Sequence, residues 1–160
     1  MPSTLVPISG IIQNVTSADN TCCQHRVSVR TPNGINNFIV GPDTYVIGEV
    51  RLRPGMQVTA FYDADLPIPL IFPPQYQAVA AAYTPHGLNA YLDVFDAMLT
   101  SSDRNLILNM SGNIPMTLPN GQTFRGDLAG KLLMVIYGAT TRSIPAQTMP
   151  RQVVAFCNGA

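Results

Sequence analysis

Ser101-Ser102-Asp103, followed by Arg104, sets hydroxyl nucleophiles beside a carboxylate. Acyl transfer by such a pair needs a general base to take the hydroxyl proton. The chain has two histidines, His25 and His86, and neither stands in a nucleophile motif. Successive short polar side chains satisfy local backbone groups, so Ser101-Ser102-Asp103 reads as a turn. Asp63 and Asp65 form a second carboxylate pair. General acid and base work would need two carboxyls flanking a cleft with their pKa values driven apart. The structural use, a turn contact or an ion pair between Asp63 or Asp65 and Arg142, is the one expected.

Cys22, Cys23 and His25, with Cys157 returning from the far end of the chain, carry the donor types of a thiolate and imidazole metal centre. Adjacent cysteines diverge in extended backbone, whereas the cysteines of zinc sites stand two to four residues apart. The expectation is free thiols, with no metal and no other cofactor. Tyr62, Phe61, Phe72 and Tyr76 gather around a proline-rich stretch, where aromatic faces could stack on sugars, bases or a peptide. Their structural alternative is to plug a barrel and its edge. Arg142, beside Ser143 and Gln147, gives a polar loop able to contact a carboxylate. The candidate ligand-binding residues are therefore Tyr62, Asp63, Phe72, Tyr76, Arg142 and Gln147. Phosphate-cradling glycine loops of the G-x-G-x-x-G or Walker type are absent from the sequence.

The elements that must position these residues are strands. Fourteen prolines and twelve glycines punctuate short runs rich in β-branched and aromatic residues. Gly10 to Val15, Arg26 to Thr31, Asn37 to Val40, Gln57 to Tyr62 and Gln75 to Ala81 read as strands, with Val27 and Val29 on one face of theirs. Asn33-Gly34 and Asn120-Gly121 are reverse-turn signals. The two halves also match. Gly55 precedes Val58 to Tyr62 and is followed by Pro69 and Pro74; Gly130 precedes Leu133 to Tyr137 and is followed by Pro145 and Pro150. A strand-like run follows each second proline, Gln75 to Ala81 and Arg151 to Phe156. This predicts an internal duplication, with repeats at 1–84 and 88–160.

Each repeat has about five short strands, which suits a small closed barrel. The fold expected is all-β: two tandem OB-like barrels, with a β-sandwich as the alternative. Leu88, Tyr91, Leu92, Phe95, Met98 and Leu99 also recur at helical spacing. The duplication asks for a strand there, and strand is the reading adopted; a short helix joining the barrels is the alternative.

Of the 160 residues, 46% are hydrophobic and only 11% charged, against about 25% charged in ordinary domains. Nine basic residues balance nine acidic ones, and Lys131 is the single lysine. Binding to a phosphate backbone relies on clustered Lys and Arg, so nucleic acid is disfavoured as a partner. No apolar run reaches the ~18 residues of a membrane helix, so no membrane span is expected. No secretory signal is visible, which predicts a cytoplasmic chain, with the cell surface as the alternative for a processed form. Weak electrostatic repulsion predicts homodimers through strand edges.

Leu52-Arg53-Pro54-Gly55-Met56, Ala60-Phe61-Tyr62-Asp63, Ile71-Phe72-Pro73-Pro74-Gln75-Tyr76, Val135-Ile136-Tyr137-Gly138 and Thr141-Arg142-Ser143-Ile144-Pro145-Ala146-Gln147 together resemble uncharacterised tandem β-barrel proteins of anaerobic Gram-positive bacteria. Similar segments sometimes lie beside surface stalk domains whose family name mentions copper amine oxidase. The resemblance implies the fold and weighs against the cytoplasmic setting, and it implies no copper chemistry and no defined activity. The function expected is a non-catalytic binding or scaffolding module for a protein, peptide or glycan. A single-stranded nucleic-acid binder and an enzyme of unfamiliar type are the alternatives.

Overall fold

A computed structural model describes residues 4–18, 21–48 and 50–157. The chain divides into two compact units, Thr4–His86 and one beginning at Gly87. The first holds β1 (Leu5–Ser17), β2 (His25–Thr31), β3 (Gly34–Val40), β4 (Tyr45–Ile47), β5 (Gln57–Asp63) and β6 (Gln75–Tyr83). The second holds β7 (Asn89–Val94), β8 (Leu106–Leu108), β9 (Met116–Thr117), β10 (Leu132–Tyr137), β11 (Ala146–Thr148) and β12 (Gln152–Phe156). The protein is all-β; among the described residues there is no helix, and so none long and apolar enough to cross a membrane.

In the first unit the pairing runs β3-β2-β1-β5-β6 and returns from β6 to β3, which closes a barrel. Every neighbouring pair in the ring is antiparallel except β3 and β6, which meet in parallel through Phe38 and Tyr76. Farther along, β6 exchanges β3 for the short β4, again in parallel. The long β1 serves two partners. Leu5 to Ile11 pair with β5 and Ile11 to Ser17 with β2. Pro7 is tolerated because at that point β1 has only one ladder partner, so a missing N–H breaks nothing on the open side. A register shift between Ile12 and Asn14 bends the strand as it changes partner.

Gly10 stands just before that change, and a Cβ there would lie 2.3 Å from the Arg30 carbonyl oxygen and 2.8 Å from Val29 Cγ1. Only a residue without a side chain lets β2 approach so closely. Alternation along the strands then turns Ile12, Val27, Val29, Phe38, Val58 and Ala60 into one buried cluster. On the opposite face of β5, Thr59 is also buried, and its hydroxyl joins Ser9 at 2.8 Å and Thr84 at 3.0 Å. Burial of that hydroxyl is tolerable because it is hydrogen-bonded.

The second unit divides its pairing between a four-stranded sheet, β7-β10-β12-β9, and a two-stranded one, β11-β8. Its core is Phe95, Leu106, Leu108, Phe124, Leu128, Leu133, Val135 and Val153. β8 and β9 stay short because Gly112 and Pro115 lie between them and Pro119, Gly121 and Gly126 follow β9. Within the Leu88 to Leu99 segment Asn89–Val94 form a strand, β7, paired with β10, and a turn follows at residues 97 and 98. Its helical spacing fails as a core face because Met98 stands 78% exposed while Asp93, at a polar position, is buried.

One hydrogen-bond pattern recurs. Ile12 N–H donates to Met56 O and Gly55 N–H to Ile12 O, both at 2.8 Å. Phe95 N–H likewise donates to Lys131 O, and Gly130 N–H to Phe95 O. The two glycines share a positive φ, +93° and +77°, a conformation that L side chains rarely adopt.

Candidate functional site

The connection from β5 to β6 is built from its first residue outward. Asp63 Oδ1 accepts from the Thr4 hydroxyl at 2.6 Å and from the Asp65 N–H at 3.0 Å, an Asx turn that ends β5. The Thr4 hydrogen bond, then the Asp65 amide, hold the Asp63 carboxyl below its ordinary range. Asp63 is thus engaged within its own unit as a turn former.

Prolines 67, 69, 73 and 74 then strip the segment of amide donors and fix φ, so it joins no ladder and runs as an irregular connection. Its far end is tied back where Asn37 N–H donates to Pro74 O at 2.8 Å. Between these anchors the apolar side chains face solvent: Leu70 is 101% exposed and Phe72 92%, and Leu66, Ile68 and Ile71 are exposed as well. Single exposed hydrophobics need no explanation, but five in seven consecutive residues form a contiguous patch.

Phe72 and Pro74 also border a groove of about 410 Å³ that reaches across to the β2–β3 hairpin. Ile8 and Ile35 supply apolar walls, and Ser9 and Asn33 supply polar ones. Tyr62 and Tyr76 stack with ring centroids 4.0 Å apart and planes 22° apart, and Phe38 meets Tyr76 at 5.7 Å. Burial, then the neighbouring Tyr76, raises the Tyr62 phenol above its ordinary pKa and keeps it neutral. Of the sequence candidates, Tyr62 and Tyr76 are in direct contact and brace β5 against β6, while Phe72 projects outward. Phe61 is buried and contributes nothing to the surface.

Arg142 and Gln147 belong to the second unit. Gln147 lies exposed on β11, its N–H held by Thr141 Oγ1 at 2.9 Å, and borders a groove of about 550 Å³ with Asn109, Thr140, Met149 and Arg151. Arg142 stands exposed on the preceding connection and does not line that groove.

Ser101-Ser102-Asp103 forms the turn its composition predicts. Ser101 is fully buried; its hydroxyl donates to Asp103 Oδ1 at 2.6 Å and accepts the Asn105 and Leu106 amides. An oxygen so enclosed has no approach for a substrate. Asp103 also accepts from the Tyr91 phenol. Burial raises the Asp103 pKa, but the Ser101, Tyr91 and Asn105 donors outweigh it, and the carboxyl lies below its ordinary range. Asp93 is buried, accepting from Ser102 Oγ at 2.5 Å and from the Val94 and Asp103 amides. Arg104 and Asp96 pair at 3.0 Å on the surface.

Cys22, Cys23 and Cys157 are free and exposed, and His25 is exposed at the start of β2. Among the described residues no three metal-ligating side chains converge. Cys22 and Cys23 do not diverge as extended neighbours would; they sit on a bend with sulfurs 4.0 Å apart.

Sequence reasoning missed Leu66, Ile68, Leu70 and Ile71 as surface residues. The signal was present in Leu-Pro-Ile-Pro-Leu-Ile-Phe-Pro-Pro, because an apolar run so dense in proline can enter neither a central strand nor a helix. Comparison of the chain with protein-family models, with curated proteins and with solved structures finds no match.

Proposed function

We propose that this chain is a non-catalytic binding module whose first barrel presents the β5–β6 connection to an extended peptide or protein segment. The observation that carries this reading is the run of exposed apolar side chains from Leu66 to Phe72 beside a groove with mixed apolar and amide walls. Peptide recognition uses that combination: apolar anchors supply affinity, and a few polar groups fix the register. The strand order 3-2-1-5-6, closed in parallel, is read as an OB-like barrel, a fold that binds through its loops and the face of its second and third strands. The recurrent pattern at Ile12 and Gly55, and at Phe95 and Gly130, supports descent of both units from one duplicated ancestor.

Panning a random-peptide phage library on the full chain tests the proposal. Selected peptides are expected to bind with micromolar affinity. Leu70→Ser and Phe72→Ser should each weaken them roughly tenfold, since burying such a side chain contributes about 1.5–3 kcal/mol and 1.4 kcal/mol is tenfold. Peptides that bind both variants as tightly as the parent would refute it. The OB-like order favours one rival, a single-stranded nucleic-acid binder. Oligonucleotide anisotropy that collapses between ~50 and ~200 mM salt would move the function there.

A further inference from the structure

We infer that Cys22 and Cys23 form a chelating dithiol site for a single soft, thiophilic centre of the trivalent arsenical type. Both thiols are free and solvent-exposed, and their sulfurs stand 4.0 Å apart. With bonds to sulfur of about 2.3 Å, a pyramidal three-coordinate centre with an angle near 100° takes sulfurs about 3.5 Å apart, so a closing of about 0.5 Å by these exposed side chains seats it. Disulfide formation fits less well. The Cys22–Cys23 peptide is not cis, so the two Cα atoms are about 3.8 Å apart, short of the ~4.4–6.8 Å that disulfides span.

Backbone hydrogen bonds set the turn from which both thiols project. Ala18 N–H donates to Gln24 O at 3.0 Å, closing the base of the β1–β2 connection. Thr21 N–H donates to Ala18 O at 2.9 Å, and Cys23 N–H to Thr21 Oγ1 at 3.1 Å. A frame fixed before binding reduces the ordering entropy lost on binding. Among the described residues no third metal-ligating side chain joins the pair. A structural zinc ion, which takes four protein ligands, is therefore poorly served. A centre satisfied by two thiolates, with its remaining position filled from outside, is well served, and sulfur donors select soft centres.

With phenylarsine oxide as the probe the chemistry balances without redox change. Two S–H bonds break and two As–S bonds form, and the arsenic-bound oxygen leaves with both thiol protons as water. Arsenic stays trivalent and keeps its phenyl group.

The test treats the reduced 160-residue chain with equimolar phenylarsine oxide. Titratable thiols should fall from three to one, and the intact mass should rise by one phenylarsenic group less two hydrogens. The adduct should resist excess monothiol and yield to a dithiol. Cys157→Ser should retain it, whereas Cys22→Ser and Cys23→Ser should each weaken it by on the order of a hundredfold, the gain expected when a second attachment becomes intramolecular. All three side chains are exposed, so the variants should fold; circular dichroism checks this, and monothiol resistance of the parent chain is an independent readout. An adduct on the parent that monothiol removes readily, that survives Cys22→Ser or Cys23→Ser undiminished, or that depends on Cys157 would overturn the assignment, as would no adduct at all.

Discussion

The ring of Tyr62 lies against the ring of Tyr76 at 4.0 Å, where the β5–β6 register slips between Phe61 and Tyr62. A register slip weakens the ladder locally, so the stack holds the two strands together at that point. Stacked aromatic pairs contribute about 0.5–1.5 kcal/mol beyond the area they bury. A double-mutant cycle with Tyr62→Leu and Tyr76→Leu, read by urea denaturation, should return a coupling energy of that size. A coupling near zero would reduce the stack to incidental contact.

Gly10→Ala places a methyl against the Arg30 carbonyl and Val29 where β1 changes partner. Overpacking of this kind costs about 1–3 kcal/mol. Gly41→Ala is the matched control, since its nearest neighbour is the flexible Gln24 side chain at 3.4 Å. The first variant should lower the denaturation midpoint clearly and the second barely; equal shifts would remove the close-approach argument.

Thr59→Val should leave the buried Thr84 hydroxyl without its Thr59 partner, at a cost of about 1–3 kcal/mol. Replacing both with valine removes the orphaned group, so Thr59→Val/Thr84→Val should recover much of the loss. A double variant worse than the sum of the singles would show that packing, and not hydrogen bonding, governs the pair.

Asp103 makes the second unit sensitive to acid. Its folded pKa lies below the unfolded value of about 3.9, so its contribution is fully present above that value and is lost as pH falls through the lower, folded one. Tyr91 acts at the other extreme. Burial, then the Asp103 hydrogen bond, raises its phenol well above 10, so the folded state holds that proton longer and stability declines as pH rises past about 10. Midpoints measured from pH 7 to 2 and from 9 to 11 should fall toward both ends. Asp103→Asn should flatten part of the acid limb; an unchanged limb would assign it to other carboxylates.

Where side chains alternate, the fold was legible. Val27 and Val29 announce β2 and its buried face, and the glycine-to-tyrosine spacing before Tyr62 and Tyr137 locates β5 and β10. β1 begins earlier than the sequence suggests, because Pro7 reads as a breaker and its one-sided pairing is invisible without β5. β4 was not legible either, since Tyr-Val-Ile becomes a strand only by lying along β6. The candidate site was half legible. Aromatic composition pointed to Tyr62, Phe72 and Tyr76, while Leu66, Ile68, Leu70 and Ile71 carry no aromatic signal and are betrayed only by the prolines among them. The buried Asp93 gave no signal, because its partners come from a turn folded back from residues 102 and 103.

The two-partner arrangement of β1 has a consequence for the order of assembly. β2 and β3 meet across nine residues, as Ser28 and Asn37 do, whereas β1 reaches β5 only across a separation such as the 50 residues between Ser9 and Thr59. Chain-closure entropy opposes the distant pairing until local contacts already hold one end. β1, β2 and β3 are therefore expected to form an early meander with half of β1 dangling, and docking of β5 on that free half completes the ring. Gly10 sits where the two stages join, and its close contacts are Arg30 and Val29 of β2, so its substitution should slow the meander itself and, through it, the closure that follows.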